Sequence, residues 1–545
     1  MTPAESRIAD RHAAAAWLAC WALVSVGTLV VRPLVPIDET RYAAVAFEMW
    51  WRHSFLVPYV NGHIYAEKPP VFFWLMQLGW SVFGVNDWWP RLIAPLATLG
   101  ALLLTRRLAR RLWPDSQAHN MAPMILAGSA YWALFTAATM FDMILSALVL
   151  IVVSTLVEVW QRGRFAPFWL AGAALGIGTL TKGPVILLPV AGVALGAPWW
   201  MGKMRVPWTR WFGGFVLAIV FTAAIGFAWL VPAGLVGGEA YLQAIGLHQT
   251  ADSIVHSFTH ARPFWWYLPL LPFMLFPWTF WPTTWRVLRA AGRGPLADPG
   301  IRLCIAWALP AFIVLSFISA KQPHYLLPLF PAVALALGRL LDQQAPARFG
   351  TWLLAGLSAF SAVAWIAAKF VLDQRSQNYF AAPLSVGVAI GFAALAIAVW
   401  LASRRPLLLD HLQATAFGAV AWLLLLIAGL LNASWPEFDV RPVAAEIGKL
   451  ATTGTVLGHA GSYNGEYHFY PRLQIEIVEL RGPAIAPWVQ AHPDGDLIAS
   501  YPAQTGLDTL PATPIYRQMF LGEVVAIWRN ADIIAHPVLL DRARK

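Results

Sequence analysis

Long, nearly uncharged apolar runs recur along this chain between residues 13 and 431, and they decide what it can fold into. A helix needs about 20 apolar residues to cross a bilayer. By that measure about thirteen segments qualify, near residues 13–31, 88–108, 121–138, 141–160, 166–181, 183–200, 212–232, 264–288, 301–319, 325–341, 351–371, 382–402 and 412–431. Of the 545 residues, 59% are hydrophobic and 12% charged. Soluble domains carry about 25% charged residues, so this chain lacks the polar surface that a water-soluble fold requires. The expectation is a polytopic α-helical membrane protein. Its net charge of +10 is scattered in twos and threes between the apolar runs. That pattern is a topology signal, and no nucleic-acid partner is expected. Cys20 and Cys304 lie inside apolar runs and read as packing residues, with neither a disulfide framework nor zinc spacing. The first run lacks a convincing small-residue cleavage site and reads as a retained anchor.

Orientation follows from the loop cations. Alternate loops collect nineteen Lys and Arg on one side and ten on the other: Arg32, Arg41, Arg52, Lys68, Arg91, Lys182, Arg262, Lys321, Lys369 and Arg375. The richer side is cytoplasmic and holds the amino terminus. The ten outer cations run against the positive-inside bias, which asks for another reason to keep several of them there.

Two outer loops are long. In residues 32–87, Thr40–Trp51 and Pro70–Gly84 read as interfacial helices, the first with Tyr42, Val45 and Met49 on one face and Glu48 and Arg52 elsewhere. Residues 233–263 are polar and read as a lid loop. From residue 432 to 545, short β-like runs alternate with Gly/Pro turns, at residues 455–457, 473–478 and 524–528. This division predicts a membrane domain over 1–431 and an outer α/β domain over 432–545.

The chemistry concentrates at outer helix ends. Asp38-Glu39 stands where a span ends and an interfacial helix begins, with Arg41 one turn on. Asp38 is then either a helix N-cap or a carboxylate held for catalysis. Glu67-Lys68-Pro69-Pro70 puts a cation at the membrane plane, where it suits a phosphate. Asp142, Lys182 and Lys321 open or close further spans on the same side. Each alone could be a side chain snorkelling to water; together they make a functional-site hypothesis. Several cations beside one or two carboxylates suit a lipid phosphate, with the cations stabilising charge on a departing phosphate and the carboxylate positioning an acceptor. No nucleotide-binding Gly-rich loop lies on the cytoplasmic side, which favours a polyprenyl-phosphate sugar donor over a sugar nucleotide. Outer histidines 248, 256, 260 and 324 lack a compact metal-binding spacing and read as ordinary loop residues, although Glu67 and His248 could ligate zinc or another divalent metal if the lid folds over.

Asp38-Glu39-Thr40-Arg41-Tyr42, Val57-Pro58, Asn61-Gly62, Tyr65, Glu67-Lys68-Pro69, Asp142, Thr181-Lys182-Gly183 and Lys321-Gln322-Pro323-His324-Tyr325 together resemble the bacterial aminoarabinose transferases of the GT-C superfamily. The resemblance covers most of residues 30–330. It implies a GT-C glycosyltransferase fold in the bacterial inner membrane, an undecaprenyl-phosphate-linked donor and lipid A as acceptor on the periplasmic face. It also implies Asp38 and Asp142 as catalytic residues. Glu39, Arg41, Tyr65, Glu67, Lys68, Lys182, Lys321 and Tyr325 are expected to contact substrates. In the lid, Gln249-Thr250-Ala251-Asp252 replaces an Arg-Phe pair that family members often show after His248, leaving Arg262 as a substitute. A monomer is expected. The rivals are a protein O-mannosyltransferase and, in another class, a transporter of polyprenyl-linked sugars. One-sided charges without internal repeats favour an enzyme over a transporter.

Overall fold

The computed structural model describes residues 3–202, 206–247, 262–343, 350–375, 384–503, 505–507, 510–541 and 543. Among them, seven helices are long and apolar enough to cross a membrane: Trp88–Leu112, Asp142–Arg162, Trp208–Glu239, Pro299–Phe317, Pro323–Gln343, Trp352–Val371 and Leu408–Leu431. Shorter apolar helices include Val71–Phe83, Pro184–Leu195 and Val386–Ala402. The protein is a multi-pass membrane protein, and its apolar runs are more broken than their hydropathy predicts. Residues 121–138 divide at Gly128-Ser129 into Ala118–Ala127 and Ala130–Thr136. Residues 264–288 divide into Tyr267–Met274 and Pro282–Ala291. Pro277 and Pro282 lie at that second break, and proline supplies no N–H to continue a helix. The predicted lid is also shorter, because the helix begun at Trp208 continues, kinked at Gly238, to Leu247.

The first three helices lead into the candidate site. The first, α1, spans Pro3–Val31. Helix α2, Asp38–Trp51, has Asp38 and Glu39 in its first turn, where negative charge interacts favourably with the helix dipole. Ala43, Ala44 and Ala46 favour its helical conformation. Helix α3, Val71–Phe83, follows Pro69-Pro70 and stops at Gly84, whose φ of +71° suits glycine. Between them β1, Tyr59–Val60, and β2, His63–Ile64, form a small hairpin. The expectation of a one-faced interfacial α2 is corrected: residues 42–49 are all buried, Glu48 among them. Glu48 accepts from Arg52 Nε at 2.8 Å and from the Gly62 amide at 2.9 Å.

After α4 (Trp88–Leu112), α5 (Ala118–Ala127) and α6 (Ala130–Thr136) come α7, Asp142–Arg162, and α8, Pro167–Lys182. The last two form an antiparallel pair turning at Gly163, a left-handed C-terminal residue. At about 1.5 Å rise per residue, α7 is about 30 Å long, the thickness of a hydrocarbon core. Asp142 opens α7 and Lys182 closes α8, so the antiparallel pairing brings them together at the end away from the turn.

The carboxyl-terminal part builds a five-stranded sheet in the order β4-β3-β5-β7-β6. Its strands are β3 (Leu457–Ala460), β4 (Ile477–Leu480), β5 (Asp496–Pro502), β6 (Tyr516–Phe520) and β7 (Glu523–Arg529). β3 pairs in parallel with β4 and β5, while β7 runs antiparallel to β5 and β6. The β-like runs at residues 455–457, 473–478 and 524–528 overlap β3, β4 and β7, while β5 and β6 lie outside them. The crossover from β3 to β4 packs on the first outer loop. Asn61 donates to the Ile477 carbonyl and accepts from its amide, both at 2.8 Å. Phe469 stacks on Trp80 at 5.7 Å, and Tyr470 Oη accepts from the Leu34 amide at 3.1 Å.

Candidate active site

The amino-terminal ends of α2 and α7 and the carboxyl-terminal end of α8 converge with the Tyr65–Pro70 segment. Asp38 is the first residue of α2 rather than its cap, and Ile37 before it makes no side-chain cap. The Asp38 carboxylate instead accepts from Arg41 at 2.6 Å, leaving its side chain about half exposed. Arg41 also faces Glu67 at 3.6 Å. Burial works against the Arg41 charge, but Tyr65, Glu67, Tyr42 and Asp38 hold its pKa above the ordinary value. Tyr65 Oη donates to Glu67 at 3.2 Å, and burial, followed by the Glu67 charge, raises the Tyr65 pKa well above the usual range.

Lys68 is half-buried and donates to the Glu67 carbonyl at 3.2 Å. Burial lowers its pKa, and the nearby charges of Lys182 and Arg41 add to that effect against the opposing pull of Glu67 and Asp38. These mutual influences put Lys68, Lys182, Arg41, Glu67 and Asp38 in one electrostatic neighbourhood. Lys182 Nζ lies 2.5 Å from Asp142 Oδ1 and 4.9 Å from the centre of the Tyr325 ring. Asp142 is fully buried, and its Oδ2 has no hydrogen-bond partner. The wall between α2 and α7 is aromatic: Tyr42 packs edge-on against Phe141 at 4.9 Å and against Phe72 at 6.3 Å.

Three expected contacts fall outside this cluster. Glu39 turns inward, where it binds Arg32 at 2.7 Å and accepts from the Val35 and Thr139 amides at 3.0 and 3.2 Å. Lys321 is buried and donates to the carbonyls of Arg262 and Ile318, at 2.8 and 2.5 Å. Arg262 is exposed, with its guanidinium 5.9 Å from the centre of the Trp266 ring. Lys321 and Arg262 thus tie one strap across the start of the Pro323–Gln343 helix. Other outer cations are also structural: Arg52 pairs with Glu48, and Arg91 donates to the Leu29 and Arg32 carbonyls.

The zinc expectation rested on Glu67 and His248, and His248 lies outside the described residues. Among those residues no group of three or more His, Cys, Asp and Glu side chains could hold a metal. Glu67 itself faces a guanidinium and a phenol, which is not a metal-ligand set.

One further buried acid stands outside the expected residues. Glu466, in the β3–β4 crossover, is buried and accepts from the Asn464 amide at 2.9 Å. Burial pushes its pKa up to about 7, against backbone hydrogen bonds and the charge of Arg41, while Glu479 raises it further. No motif marks it: the sequence shows only a Glu in Tyr463-Asn464-Gly465-Glu466-Tyr467, and its burial appears only in the fold.

Residues 67–227 match the family model described as dolichyl-phosphate-mannose-protein mannosyltransferase. The chain is 28% identical over 451 residues to undecaprenyl phosphate-alpha-4-amino-4-deoxy-L-arabinose arabinosyl transferase 1 of Pseudomonas fluorescens, covering 76% of this chain and 74% of that protein. It is 29% identical over 451 residues to the correspondingly named transferase of Pseudomonas aeruginosa, covering 77% and 76%. The crystal structure of ArnT from Cupriavidus metallidurans bound to undecaprenyl phosphate superposes with a TM-score of 0.74 at 21% identity, over 94% of this chain and 97% of that one. Its apo form superposes equally well, at 22% identity. Sequence along three quarters of the length is similar to the aminoarabinose transferases, and the fold along nearly all of it is that of ArnT.

Proposed function

We propose that this enzyme transfers 4-amino-4-deoxy-L-arabinose from undecaprenyl phosphate to phosphate groups of lipid A on the periplasmic face, and so confers resistance to polymyxins and cationic peptides. The observation that carries the reading is Lys68. Arg41 and Lys182 each have a carboxylate partner, whereas the hydrogen bond of Lys68 goes to a backbone carbonyl. A half-buried ammonium beside two other cations pays a desolvation cost that an anion repays, and a lipid phosphate arrives at this depth. Arg41 and Lys68 hold the donor phosphate, with Lys182 completing the field.

An acceptor phosphate oxygen attacks the anomeric carbon, and the bond from that carbon to the carrier phosphate breaks. The electron pair leaves with undecaprenyl phosphate, whose new charge Arg41 and Lys68 stabilise. Asp38, exposed at the mouth, orients the acceptor or removes a residual proton. A phosphate monoester has its second pKa at about 6, so it needs little base help. Asp142 acts from behind by fixing Lys182, and Tyr65 and Tyr325 position Glu67 and Lys182. The test is mass spectrometry of lipid A from cells with and without the protein. A pentosamine increment present only with the protein is expected, and its absence from both overturns the assignment.

The match of residues 67–227 to the mannosyltransferase model keeps a second reading in view, in which a Ser or Thr hydroxyl is the acceptor. That acceptor requires a strong base, and Asp38 is already engaged by Arg41.

A further inference from the structure

The turn that leads into the Pro323–Gln343 helix is tied down on both sides of His324. Lys321 before it donates to the Arg262 and Ile318 carbonyls. The Gln322 carbonyl accepts from Tyr267 Oη at 3.1 Å and from the Tyr325 amide at 3.2 Å. Pro323 opens the helix with its φ fixed by the ring. On this rigid backbone the His324 ring is half-buried, 5.7 Å from the ring of Phe135 at the end of α6. It meets the Tyr325 ring edge-on at 4.9 Å. Lys182 Nζ lies 4.9 Å from the centre of that same Tyr325 ring, so His324 and the Asp142–Lys182 pair share one aromatic wall. Tyr131, 5.0 Å from Phe135, continues the wall. Among the described residues, neither nitrogen of His324 has a hydrogen-bond partner. A phenyl ring would fill the same place without carrying two nitrogens into it, where an unmade hydrogen bond is costly.

The rest of the site offers a substrate many donors and few acceptors. Arg41, Lys68 and Lys182 only donate. Each carboxylate is already engaged: Asp38 by Arg41, Glu67 by Tyr65, and Asp142 by Lys182. The donor of the proposed reaction carries its phosphate at C1 of the sugar and its amine at C4, across the ring. With the phosphate on Arg41 and Lys68, an ammonium at C4 is repelled by the three cations and needs an acceptor away from them. An imidazole nitrogen accepts from an amine, and aromatic faces attract its charge. We propose that His324, backed by Phe135 and Tyr325, is the specificity-determining residue that recognises the amine of the transferred sugar. The proposal rests on the reading of aminoarabinose as the transferred group. Arg41 and Lys68 hold the phosphate that every polyprenyl-phosphate donor shares; His324 tells one sugar from another.

The test compares two donors with the full-length enzyme in detergent and lipid A as acceptor. One is undecaprenyl phosphate-linked 4-amino-4-deoxy-L-arabinose, and the other is its analogue with hydrogen in place of the amine. Wild type is expected to prefer the amino donor by about ten- to a hundredfold in kcat/KM, the range of one hydrogen bond to a charged group. His324→Phe keeps a ring between Phe135 and Tyr325, removes both nitrogens and brings that preference close to one. If H324F does not accumulate, His324→Leu is read in the same way. A merely structural ring lowers transfer from both donors together and leaves their ratio at the wild-type value; that result overturns the proposal. Equal use of the two donors by wild type overturns it without any variant, while leaving the assigned reaction standing. Absence of transfer from either donor defeats the assigned reaction, and the amine subsite falls with it.

Discussion

Replacing Lys182 by methionine should destabilise the protein far more than replacing it together with its partner. The Asp142–Lys182 pair is 2.5 Å long, with side-chain exposures of 1% and 11%. Asp142 Oδ2 has no hydrogen bond, so once the ammonium is gone nothing described compensates the buried carboxylate. Breaking a buried pair from one side costs about 3–5 kcal/mol, whereas exchanging both partners for neutral groups of similar volume is close to neutral. Lys182→Met is therefore expected to lose about 3–5 kcal/mol, and the Asp142→Asn/Lys182→Met double variant to recover most of it. Thermal unfolding in detergent, followed by tryptophan fluorescence, provides the assay, with a fall of roughly 5 °C or more for the single variant. Transfer activity should fail to recover in the double variant, because the field of Lys182 at the phosphate is lost in both. A single variant with a wild-type midpoint, or a double variant as unstable as the two singles added together, refutes the argument.

Asp38→Asn should lower kcat by about ten- to a hundredfold at pH 6 and by less at pH 8, where a phosphate acceptor is already fully ionised. Near-full activity at both pH values in a folded variant removes Asp38 from the mechanism. For Glu466 the sign is that of a carboxyl whose folded-state pKa is raised, from 4.5 to about 7. The folded state holds the proton more tightly, so stability falls as pH rises from the unfolded value through about 7. At about 1.4 kcal/mol for each tenfold change in proton affinity, the cost above pH 7 is about 3 kcal/mol. Glu466→Gln is thus expected to unfold at a higher temperature than wild type at pH 8 and to lose that advantage at pH 5; parallel profiles contradict this.

The membrane class and the outer cluster of Asp38, Arg41, Glu67, Lys68, Asp142 and Lys182 were legible because charge is expensive beside lipid and therefore conspicuous there. The Asp142–Lys182 contact follows from two helices of comparable length folding back on one short turn. Glu39 and Lys321 fall outside that cluster for a shared reason. A helix end offers bare amides and carbonyls as well as substrates, and composition cannot say which a charged side chain will take. Adjacent helical residues also point about 100° apart, so Asp38 and Glu39 face different surroundings. Glu466 was not legible, since its meaning depends on a crossover loop meeting a helix more than four hundred residues earlier.

The paired hydrogen bonds between Asn61 and the main chain of Ile477 span 416 residues. A ribosome makes the first partner long before the second, so α2 is made with one side unclosed. Its seat is completed when β4 emerges. Assembly of the bundle and completion of its outer wall are therefore separate events in the life of each molecule, and truncation before Ile477 leaves the helix that carries Arg41 without its cover.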